Sequence, residues 1–271
     1  MKFTVLGASG FIGSNLVAHL RREGHECLVP SRGDPAVFGE DLGHVFYCIG
    51  LTADFRQRPF DTVRAHVCLL ADILEKSRFE SLLYLSSTRI YGNAESTRED
   101  SKLLADPQNP SDLYNLTKMT GESLCFASGR TNVRVARLSN VYGGDFASEN
   151  FLSAIIRDAL KKKRILLHTS VDSAKDYVAI GDVIGILPKI AQGGQHRLYN
   201  VASGTNVSNR ELLLEIQKLT GCEVAISDRA QTISFPPISI DCLQEEFRYH
   251  PSPILRDLHE LVLKYKHRVD N

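Results

Sequence analysis

Short apolar runs alternate with segments of helical periodicity from Lys2 to about Asp100. In the first helical segment, Ile12, Leu16 and Leu20 fall on one face, which is the spacing of a helix that packs on a sheet. Strands followed by helices in this way are typical of βαβ units on a parallel sheet. The predicted strands are Phe3–Leu6, Glu26–Val29, Val45–Ile49 and Ser81–Leu85, and the predicted helices are Phe11–Glu23 and Asp61–Lys76.

The pattern continues after a polar, proline-bearing loop from Asn93 to Pro110, which we interpret as a possible lid or substrate loop because of its length. Ser208 and Glu211 have the spacing of a capping box at a helix start. The further predicted helices are Ser111–Ser128, Asn150–Lys162, Ser208–Leu219 and Ile254–Tyr265, and the further predicted strands are Val133–Leu138 and Arg197–Val201.

Composition places the chain among ordinary globular proteins, with 43% hydrophobic and 24% charged residues. Lys plus Arg (32) balance Asp plus Glu (32), so no global positive field favours nucleic acid or an anionic membrane. The six cysteines contain no CxxC pair, which is typical of reduced thiols, and we expect no metal site. The run Phe3–Leu6 is too short for a signal peptide and no later run could span a bilayer, so we expect a cytoplasmic protein.

Three glycines stand in the stretch that follows the first predicted strand and opens its helix, Gly7-Ala8-Ser9-Gly10-Phe11-Ile12-Gly13. In a dinucleotide-binding turn the first glycine permits a tight bend, the second lets N–H groups approach a pyrophosphate, and the third lets helix and strand pack closely. The anion then lies at the helix N-terminus. Such turns also occur for steric reasons alone, but at the start of a βαβαβ series dinucleotide binding is the better interpretation. The residues expected to bind are Gly7, Ser9, Gly10, Phe11, Ile12 and Gly13.

The fold class expected from these elements is α/β, a Rossmann-type doubly wound parallel sheet with a small C-terminal α/β substrate-binding portion. We expect an NAD(P)-binding domain over residues 1–143, to which residues 176–204 return. Residues 144–271 would then form the smaller substrate-binding portion.

The end of the second predicted strand bears on the choice of dinucleotide. An acidic residue there would bind a ribose 2′-hydroxyl and select NAD. Here the strand is followed by Ser31 and Arg32, whose hydroxyl and guanidinium suit a 2′-phosphate. We therefore predict NADP (NADPH) in preference to NAD. The alternative is that Arg32 is only a surface cation.

Tyr114 and Lys118 lie four residues apart on a predicted helix, so both side chains project from one face. A free phenol, with a pKa of about 10, is a poor base at neutral pH. An adjacent ammonium and an oxidised nicotinamide favour the phenolate and move the phenol toward acid–base chemistry. Taken alone, this spacing is more often accidental than functional.

A run of hydroxyl residues supplies the third element. Ser87 stands just past a buried strand, at the carboxyl edge of the predicted sheet, where ligands bind in open parallel sheets. From there its hydroxyl could contact the reacting oxygen beside Tyr114. A local turn or helix cap is an equally good interpretation of this serine on its own.

With these elements in order, the sequence resembles the extended short-chain dehydrogenase/reductase family of nucleotide-sugar epimerases, dehydratases and reductases. The resemblance covers nearly the whole chain, and the combination of its motifs is specific. The matching stretches are Gly7 to Gly13, Leu85 to Gly92, Tyr114 to Lys118, Arg137 to Gly143, Asp176 to Val183 and Leu198 to Gly204.

The resemblance implies a role for each matching residue. Ser87 corresponds to the catalytic hydroxyl residue, Tyr114 to the acid–base and Lys118 to the lysine that also binds the nicotinamide ribose. It further implies a homodimer through the helices Asp61–Lys76 and Ser111–Ser128. The residues expected at the substrate are Ser87, Thr88, Asn140, Asn150 and Lys175, the last where the family usually has an arginine.

Several positions depart from the family pattern. Thr88 and Arg89 stand where the 4,6-dehydratases of the family carry the Asp and Glu that act in water loss, which makes dehydration unfavourable here. The usual alanine pair after the third strand is Ile49-Gly50, and the usual asparagine of the next helix is His66. That histidine is either a helix-surface residue or one that alters the water network behind the site.

The leading functional hypothesis is NADPH-dependent reduction of a keto carbon, commonly C4, of a nucleotide-activated hexose. Tyr114 would donate the proton and Ser87 would polarise the carbonyl. The chain is short for the family, as its reductases often are, and a strand end suited to NADP also fits a reductase. The alternatives are an epimerase that retains NAD and, in a different class, a non-catalytic dinucleotide-binding sensor or scaffold.

Overall fold

A six-stranded parallel sheet forms the centre of the computed structural model, which describes residues 1–52, 54–92 and 94–270. The strands are β1 (Lys2–Leu6), β2 (Glu26–Leu28), β3 (His44–Tyr47), β4 (Ser81–Ser87), β5 (Val133–Leu138), β6 (Asn140–Tyr142), β7 (Arg164–Thr169), β8 (Ala174–Ala179), β9 (Leu198–Val201), β10 (Asn206–Ser208) and β11 (Glu223–Gln231). The helices are α1 (Phe11–Arg22), α2 (Ala36–Gly39), α3 (Pro59–Val63), α4 (Leu69–Lys76), α5 (Leu113–Ala127), α6 (Phe151–Lys161), α7 (Ile180–Gly193), α8 (Asn209–Thr220), α9 (Asp241–Phe247) and α10 (Ile254–Asp270). A π-helical turn, Arg64–Cys68, joins α3 to α4, and 3-10 turns follow β4 at Thr88–Tyr91 and precede α5 at Pro110–Asp112.

The strand order of the main sheet is β2-β1-β3-β4-β5-β9. The chain moves from β1 outward to β2 and then returns past β1 to β3, so the direction of winding reverses between β1 and β3. This is the flavodoxin-like form of a doubly wound sheet, without the strand that lies outside β2 in the 3-2-1-4-5-6 order. Among the described residues, the connection from β2 to β3 contains only the four-residue helix α2. Ligands of open α/β sheets bind at the carboxyl ends of the strands beside such a reversal.

Helices cover both faces of this sheet. Residues of β4 alternate between the two faces, with Leu83 and Leu85 packed among α1 and α7 and with Leu82 and Tyr84 packed among α4 and α5. This alternation follows from the two-residue period of a strand, and burial on both faces explains why residues 82–85 of β4 are continuously apolar. The two cores hold the carboxyl edge of the sheet rigidly where the candidate site lies.

The remaining strands form two small sheets, one of β6, β8 and β10 and one of β7 and β11. A separate apolar cluster joins α6, α8 and α10 to β7 through residues such as Ile156, Ile165, Leu212 and Leu258. After β8 the chain returns to the main sheet, because α7 packs on its face and β9 pairs with β5. The division into two domains at residue 143 stays a prediction.

The predicted Rossmann-type α/β fold is confirmed. Every predicted strand and helix is present with ends within two residues, except that the last helix continues to Asp270. The capping box at Ser208 and Glu211 is formed. The elements that the sequence did not predict are β6, β7, β8, β10, β11, α2, α7 and α9. In the ranges that the structure describes, no helix is both long enough and apolar enough to cross a bilayer.

The loop between β4 and α5 is tied to the sheet. Asn93, where its prediction begins, lies outside the described residues. Thr97 Oγ1 donates to Pro237 O at 2.7 Å and accepts from Ser239 N at 2.9 Å, while Glu99 Oε1 accepts from Asn200 N at 3.0 Å. These bonds anchor the middle of the loop, so this part forms a wall and does not have the free backbone of a lid.

Candidate active site

Tyr114 and Lys118 lie on the face of α5 that packs on β4. Both are buried, with 5% and 4% of their surfaces exposed. Lys118 Nζ donates to Leu85 O at 2.8 Å and lies 4.9 Å from the centroid of the Tyr84 ring. The packing of α5 on β4 thus brings a phenol and an ammonium to the carboxyl end of β4.

Ser87 is the last residue of β4. Its Oγ accepts a hydrogen bond from Arg89 N at 3.2 Å and caps the 3-10 turn that follows. The same hydroxyl interacts with the phenol of Tyr114 and lowers its pKa. Both interpretations of this serine therefore apply, since it caps a turn and also reaches the phenol. Thr88 follows it with a buried side chain.

The pKa of Tyr114 is raised, because burial outweighs the opposing effects of Ser87 and of the Arg89 charge. The cation that lowers the pKa of this phenol in the structure is Arg89, while the Lys118 ammonium donates to Leu85 O. That Lys118 and an oxidised nicotinamide together favour the phenolate stays a prediction. Burial lowers the pKa of Lys118 to about 8, although the charge of Glu122 opposes this. With its pKa raised, the phenol of Tyr114 is protonated at neutral pH.

His66 lies behind the phenol in the π-helical turn and is fully buried, so the helix-surface interpretation is wrong. Its Nε2 accepts from Leu51 N at 3.1 Å, which leaves Nδ1 to donate to Thr117 Oγ1 at 2.9 Å. That hydroxyl in turn donates to Tyr114 O at 2.9 Å. Burial, with the charge of Lys118, lowers the pKa of His66 to about 3, so the ring is neutral. A neutral histidine therefore ties α5 to the loop after β3.

Gly50 explains how this histidine fits. A Cβ at position 50 would lie 3.2 Å from His66 Nε2 and 3.4 Å from Lys118 Nζ, the first of which is tighter than most real Cβ contacts. The larger imidazole thus occupies the space beside a residue that has no side chain. The glycine and the histidine, two separate departures in the sequence, form one packing arrangement in the structure.

The glycine turn has the form that a dinucleotide needs. Gly7 has a φ of +84°, and a Cβ there would lie 2.9 Å from the backbone of Cys48 and Ile49. A Cβ on Gly13 would lie 2.4 Å from Gly7 O, whereas one on Gly10 would meet only Gly7 O, at 3.4 Å. Packing within the protein therefore requires glycine at 7 and 13, while position 10 is exposed.

The start of α1 at this turn is free to receive an anion. Gly10 caps the helix without a side-chain hydrogen bond, and the first turn carries no acidic residue. A cavity of about 310 Å³ lies beside it, lined by Ser9, Phe11, Ser14, Asn15, Gly144 and Asp145. Uncapped N–H groups and the positive end of the helix dipole fit a pyrophosphate. Ile12, half-buried, packs against the core of the main sheet.

Ser31 and Arg32 are exposed just past β2, which pairs in parallel with β1. Within residues 1–52, 54–92 and 94–270, Arg32 has no hydrogen bond or ion pair. The nearest acid along the chain, Asp34, accepts from Ala36 N at 2.9 Å at the start of α2. The strand end therefore offers a free guanidinium, while the nearby carboxylate binds its own backbone.

The predicted substrate residues Asn140 and Lys175 lie on the paired strands β6 and β8, and Asn150 lies at the start of α6. Asn140 Nδ2 donates to Asp176 O at 2.8 Å, next to Lys175 on β8. Asn150 is the exposed N-cap of α6, and Lys175 Nζ lies 5.7 Å from the ring centroid of the adjacent Phe151. Lys175 thus lies near the start of α6, and Asn140 contacts the residue that follows Lys175 on β8. That the three residues bind a substrate stays a prediction.

Arg89 and Phe55 join the site although the sequence did not select them. The guanidinium carbon of Arg89 lies 5.4 Å from the Tyr114 ring centroid and 5.1 Å from that of Phe55. Arg89 stood out in the sequence only as a departure from the dehydratase pattern. Its position two residues after Ser87 was the signal, but Phe55 lies in a polar segment that carries no motif.

Comparison with known proteins gives the family. The model of the family described as "NAD dependent epimerase/dehydratase family" matches residues 3–202. The chain is 28% identical over 160 residues to dTDP-glucose 4,6-dehydratase of Streptomyces griseus, an alignment that covers 57% of this chain and 47% of the relative, so the chain spans about half the length of that protein. It is 24% identical over 291 residues to UDP-glucose 4-epimerase of Streptococcus mutans, covering 87% and 86%. In fold it is similar to RMD from Pseudomonas aeruginosa complexed with NADPH, with a TM-score of 0.82, 22% identity and coverage of 99% and 100%.

Proposed function

We propose that this chain, which belongs to the NAD dependent epimerase/dehydratase family, catalyses the NADPH-dependent reduction of a keto carbon in a nucleotide-activated hexose. The position that we favour for this carbon is C4. The observation that carries this proposal is the protonated, buried phenol of Tyr114 beside the Ser87 hydroxyl at the carboxyl edge of the sheet. A reduction needs a positioned proton donor next to the carbonyl oxygen.

The chain supplies three functions to this reaction. Tyr114 donates its phenolic proton to the developing alkoxide, and the raised pKa of the phenol keeps that proton available at neutral pH. Ser87 donates a hydrogen bond to the same oxygen and polarises the carbonyl. Lys118, whose ammonium lies beside Gly50, holds the nicotinamide ribose. The bound dinucleotide supplies the hydride.

Two features favour reduction with NADPH. Thr88 and Arg89 follow Ser87, so no carboxylate stands there to remove the elements of water. Ser31 and Arg32 are exposed at the end of β2 and suit a 2′-phosphate. The glycine turn and the α1 N-terminus would hold the pyrophosphate through Gly7, Ser9, Gly10, Phe11, Ile12 and Gly13. Asn140, Asn150 and Lys175 are proposed to bind the nucleotide-sugar.

An epimerase is the second candidate, favoured by the alignment with the Streptococcus mutans UDP-glucose 4-epimerase over most of both chains. Such an enzyme would oxidise and re-reduce one carbon with a dinucleotide that it retains. Purified protein that carries stoichiometric NAD and turns over a sugar without added NADPH would favour this candidate. NADPH consumed in proportion to product supports the reductase.

The decisive variant is Tyr114→Phe, which preserves packing and removes the proton donor. We expect turnover to fall by about 10²- to 10⁴-fold with dinucleotide affinity unchanged. Tyr249→Phe is the matched control, because the Tyr249 hydroxyl is buried without a hydrogen-bond partner among the described residues. If the biological activity survives Tyr114→Phe undiminished, the protein is a non-catalytic sensor or scaffold and the proposal fails.

The assembly and location are also proposals. A homodimer would pair α3, α4 and α5 with their copies, and the protein would act in the cytoplasm. Analytical ultracentrifugation of the purified chain tests the first of these, with a monomer at micromolar concentration as the contrary result.

A further inference from the structure

Three cationic side chains gather around the candidate active site. The guanidinium of Arg89 lies close to the rings of both Phe55 and Tyr114, and the guanidinium carbon of Arg56 lies 4.5 Å from the centroid of the same Phe55 ring. Burial lowers the pKa of Lys175, and the charge of Arg89 lowers it further. The family pattern of the site does not account for the arginine at position 89.

These cations have no acidic partner in the described ranges 1–52, 54–92 and 94–270. Arg56 donates to Ser111 Oγ at 3.1 and 3.2 Å, and Arg89 donates to Ser111 O at 3.4 Å, so both bind only neutral oxygens. The charge of Asp112 raises the pKa of Arg89, but the Asp112 carboxylate accepts from Asn115 Nδ2 and Asp106 N. Burial and the charge of Arg56 outweigh that effect and lower the pKa of Arg89.

An uncompensated, half-buried cation costs free energy, because it is partly removed from water and repelled by its neighbours. Sites that break a local rule of this kind are commonly functional ones, where a ligand supplies the missing charge. The forked guanidinium of arginine matches a carboxylate in a way that the point charge of a lysine does not.

We infer that Arg89 is the receptor for a carboxylate on the sugar, and that the substrate class is a nucleotide-linked uronic acid. The inference rests on the proposed function, and it names the substrate within that function. The carboxylate would pair with Arg89, while Arg56 adds to the positive field. Tyr114 would face the carbon that reacts, a bond or two from the carbon that bears the acid.

The diphosphate of the nucleotide is the other anion that could reach this arginine. Lys175 Nζ lies near the ring of Phe151, the first residue of α6, and therefore near the N-terminus of that helix. Arg89 instead packs on the ring of the proton donor itself. This places Arg89 at the sugar and leaves the diphosphate to Lys175.

The pairing has a chemical effect at the keto stage. A 4-keto uronate is a β-keto acid, in which the C5–C6 bond can break, with its electron pair passing to the C4 carbonyl as an enolate and carbon dioxide leaving. The negative charge that would pass to the enolate is the one that Arg89 stabilises on the carboxylate. Arg89 therefore opposes loss of carbon dioxide and preserves the acid through the reduction.

The test measures binding to the dinucleotide-loaded protein by calorimetry, so it does not depend on turnover. The probes are matched acidic and neutral pairs, namely UDP-glucuronate with UDP-glucose, dTDP-glucuronate with dTDP-glucose, and GDP-mannuronate with GDP-mannose. For the preferred nucleotide we expect the acidic sugar to bind at least about tenfold more tightly. Arg89→Gln should abolish this preference, and Arg89→Lys should keep part of it.

Arg210→Gln is the matched control, since Arg210 is an exposed arginine on α8, paired with Asp172. Unchanged dinucleotide affinity in each variant shows that it is folded. A neutral sugar that binds as tightly as the acidic one overturns the inference and leaves the proposed function standing. Equal weakening of both members by Arg89→Gln assigns the residue to the diphosphate and also overturns it. If no pair binds at all, the proposed function fails together with the inference.

Discussion

The packing of His66 against Gly50 predicts an energetic coupling that a double-mutant cycle can measure. In the protein with His66, Gly50→Ala places a methyl group 3.2 Å from Nε2, the atom that accepts from Leu51 N. The ring must shift, and weakening this hydrogen bond costs about 1 kcal/mol. The alanine also restricts the unfolded chain, which stabilises by about 0.4–1 kcal/mol at a compatible backbone position. The net effect of Gly50→Ala alone is therefore between zero and slight destabilisation.

The same substitution acts differently once the imidazole is gone. In a His66→Asn background the smaller amide leaves room for the methyl group, so only the stabilising effect on the unfolded chain remains. We expect Gly50→Ala to stabilise that protein by about 0.4–1 kcal/mol. The coupling energy between the two positions is then about 1 kcal/mol, within the range for residues in contact.

Urea denaturation of the four proteins, followed by circular dichroism, gives this coupling energy. Gly39→Ala is a suitable control, because nothing lies within 4 Å of a Cβ at that position. Effects of the two substitutions that simply add would refute the reasoning, since they would mean that the imidazole and position 50 do not share space.

Three further predictions follow from the geometry. Burial holds His66 neutral, with a pKa of about 3 in the folded protein against about 6.5 when unfolded, so its contribution to stability is complete above about pH 6.5 and is lost as the pH falls toward 3. Urea denaturation at a series of pH values should therefore show a smaller loss of unfolding free energy in acid for His66→Asn than for the unaltered protein. An equal loss in both proteins would contradict this. Gly13→Ala, with a Cβ 2.4 Å from Gly7 O, should lower the melting temperature in a thermal-shift assay. Gly10→Ala should leave the melting temperature unchanged and weaken NADPH binding, as measured by fluorescence titration. Arg32→Asp should reverse the preference for NADPH over NADH in steady-state kinetics, and an unchanged ratio would reduce Arg32 to a surface cation.

The parts of the fold that follow from the periodicity of apolar residues within a short stretch of sequence could be predicted. The buried strand β4 and the apolar face of α1 can be recognised from residues that are close together in the sequence. The same holds for the glycine turn that contains Gly7 and Gly13. The strands β7 and β11 were not predictable in this way, because each takes its form from pairing with the other across residues 170–222. Helix α7 escaped prediction because Pro188 interrupts its pattern, although the proline is accommodated inside the helix.

The same distinction between local and long-range contacts applies to the candidate site. Tyr114 and Lys118 share a helix, so their spacing alone indicated that they face one way. The contacts of His66 with Leu51 and Thr117, and those of Arg89 with Phe55, join residues that are distant in sequence and carry no shared motif. The sequence could mark His66 and Arg89 as departures, but only the packing shows what each one contacts.

The proposed reductase activity and the proposed uronic acid substrate are linked by the pKa of the Tyr114 phenol. In the protein alone, the charge of Arg89 lowers the pKa of Tyr114 and so favours phenolate, the form needed to accept a proton in the oxidative direction. A carboxylate paired with Arg89 would neutralise that charge, and the pKa of the phenol would rise further under the burial that already dominates it. Binding of an acidic sugar would thus itself keep the proton on Tyr114. The site would then be set for donation to a carbonyl oxygen when its substrate is in place, which is the direction of a reductase.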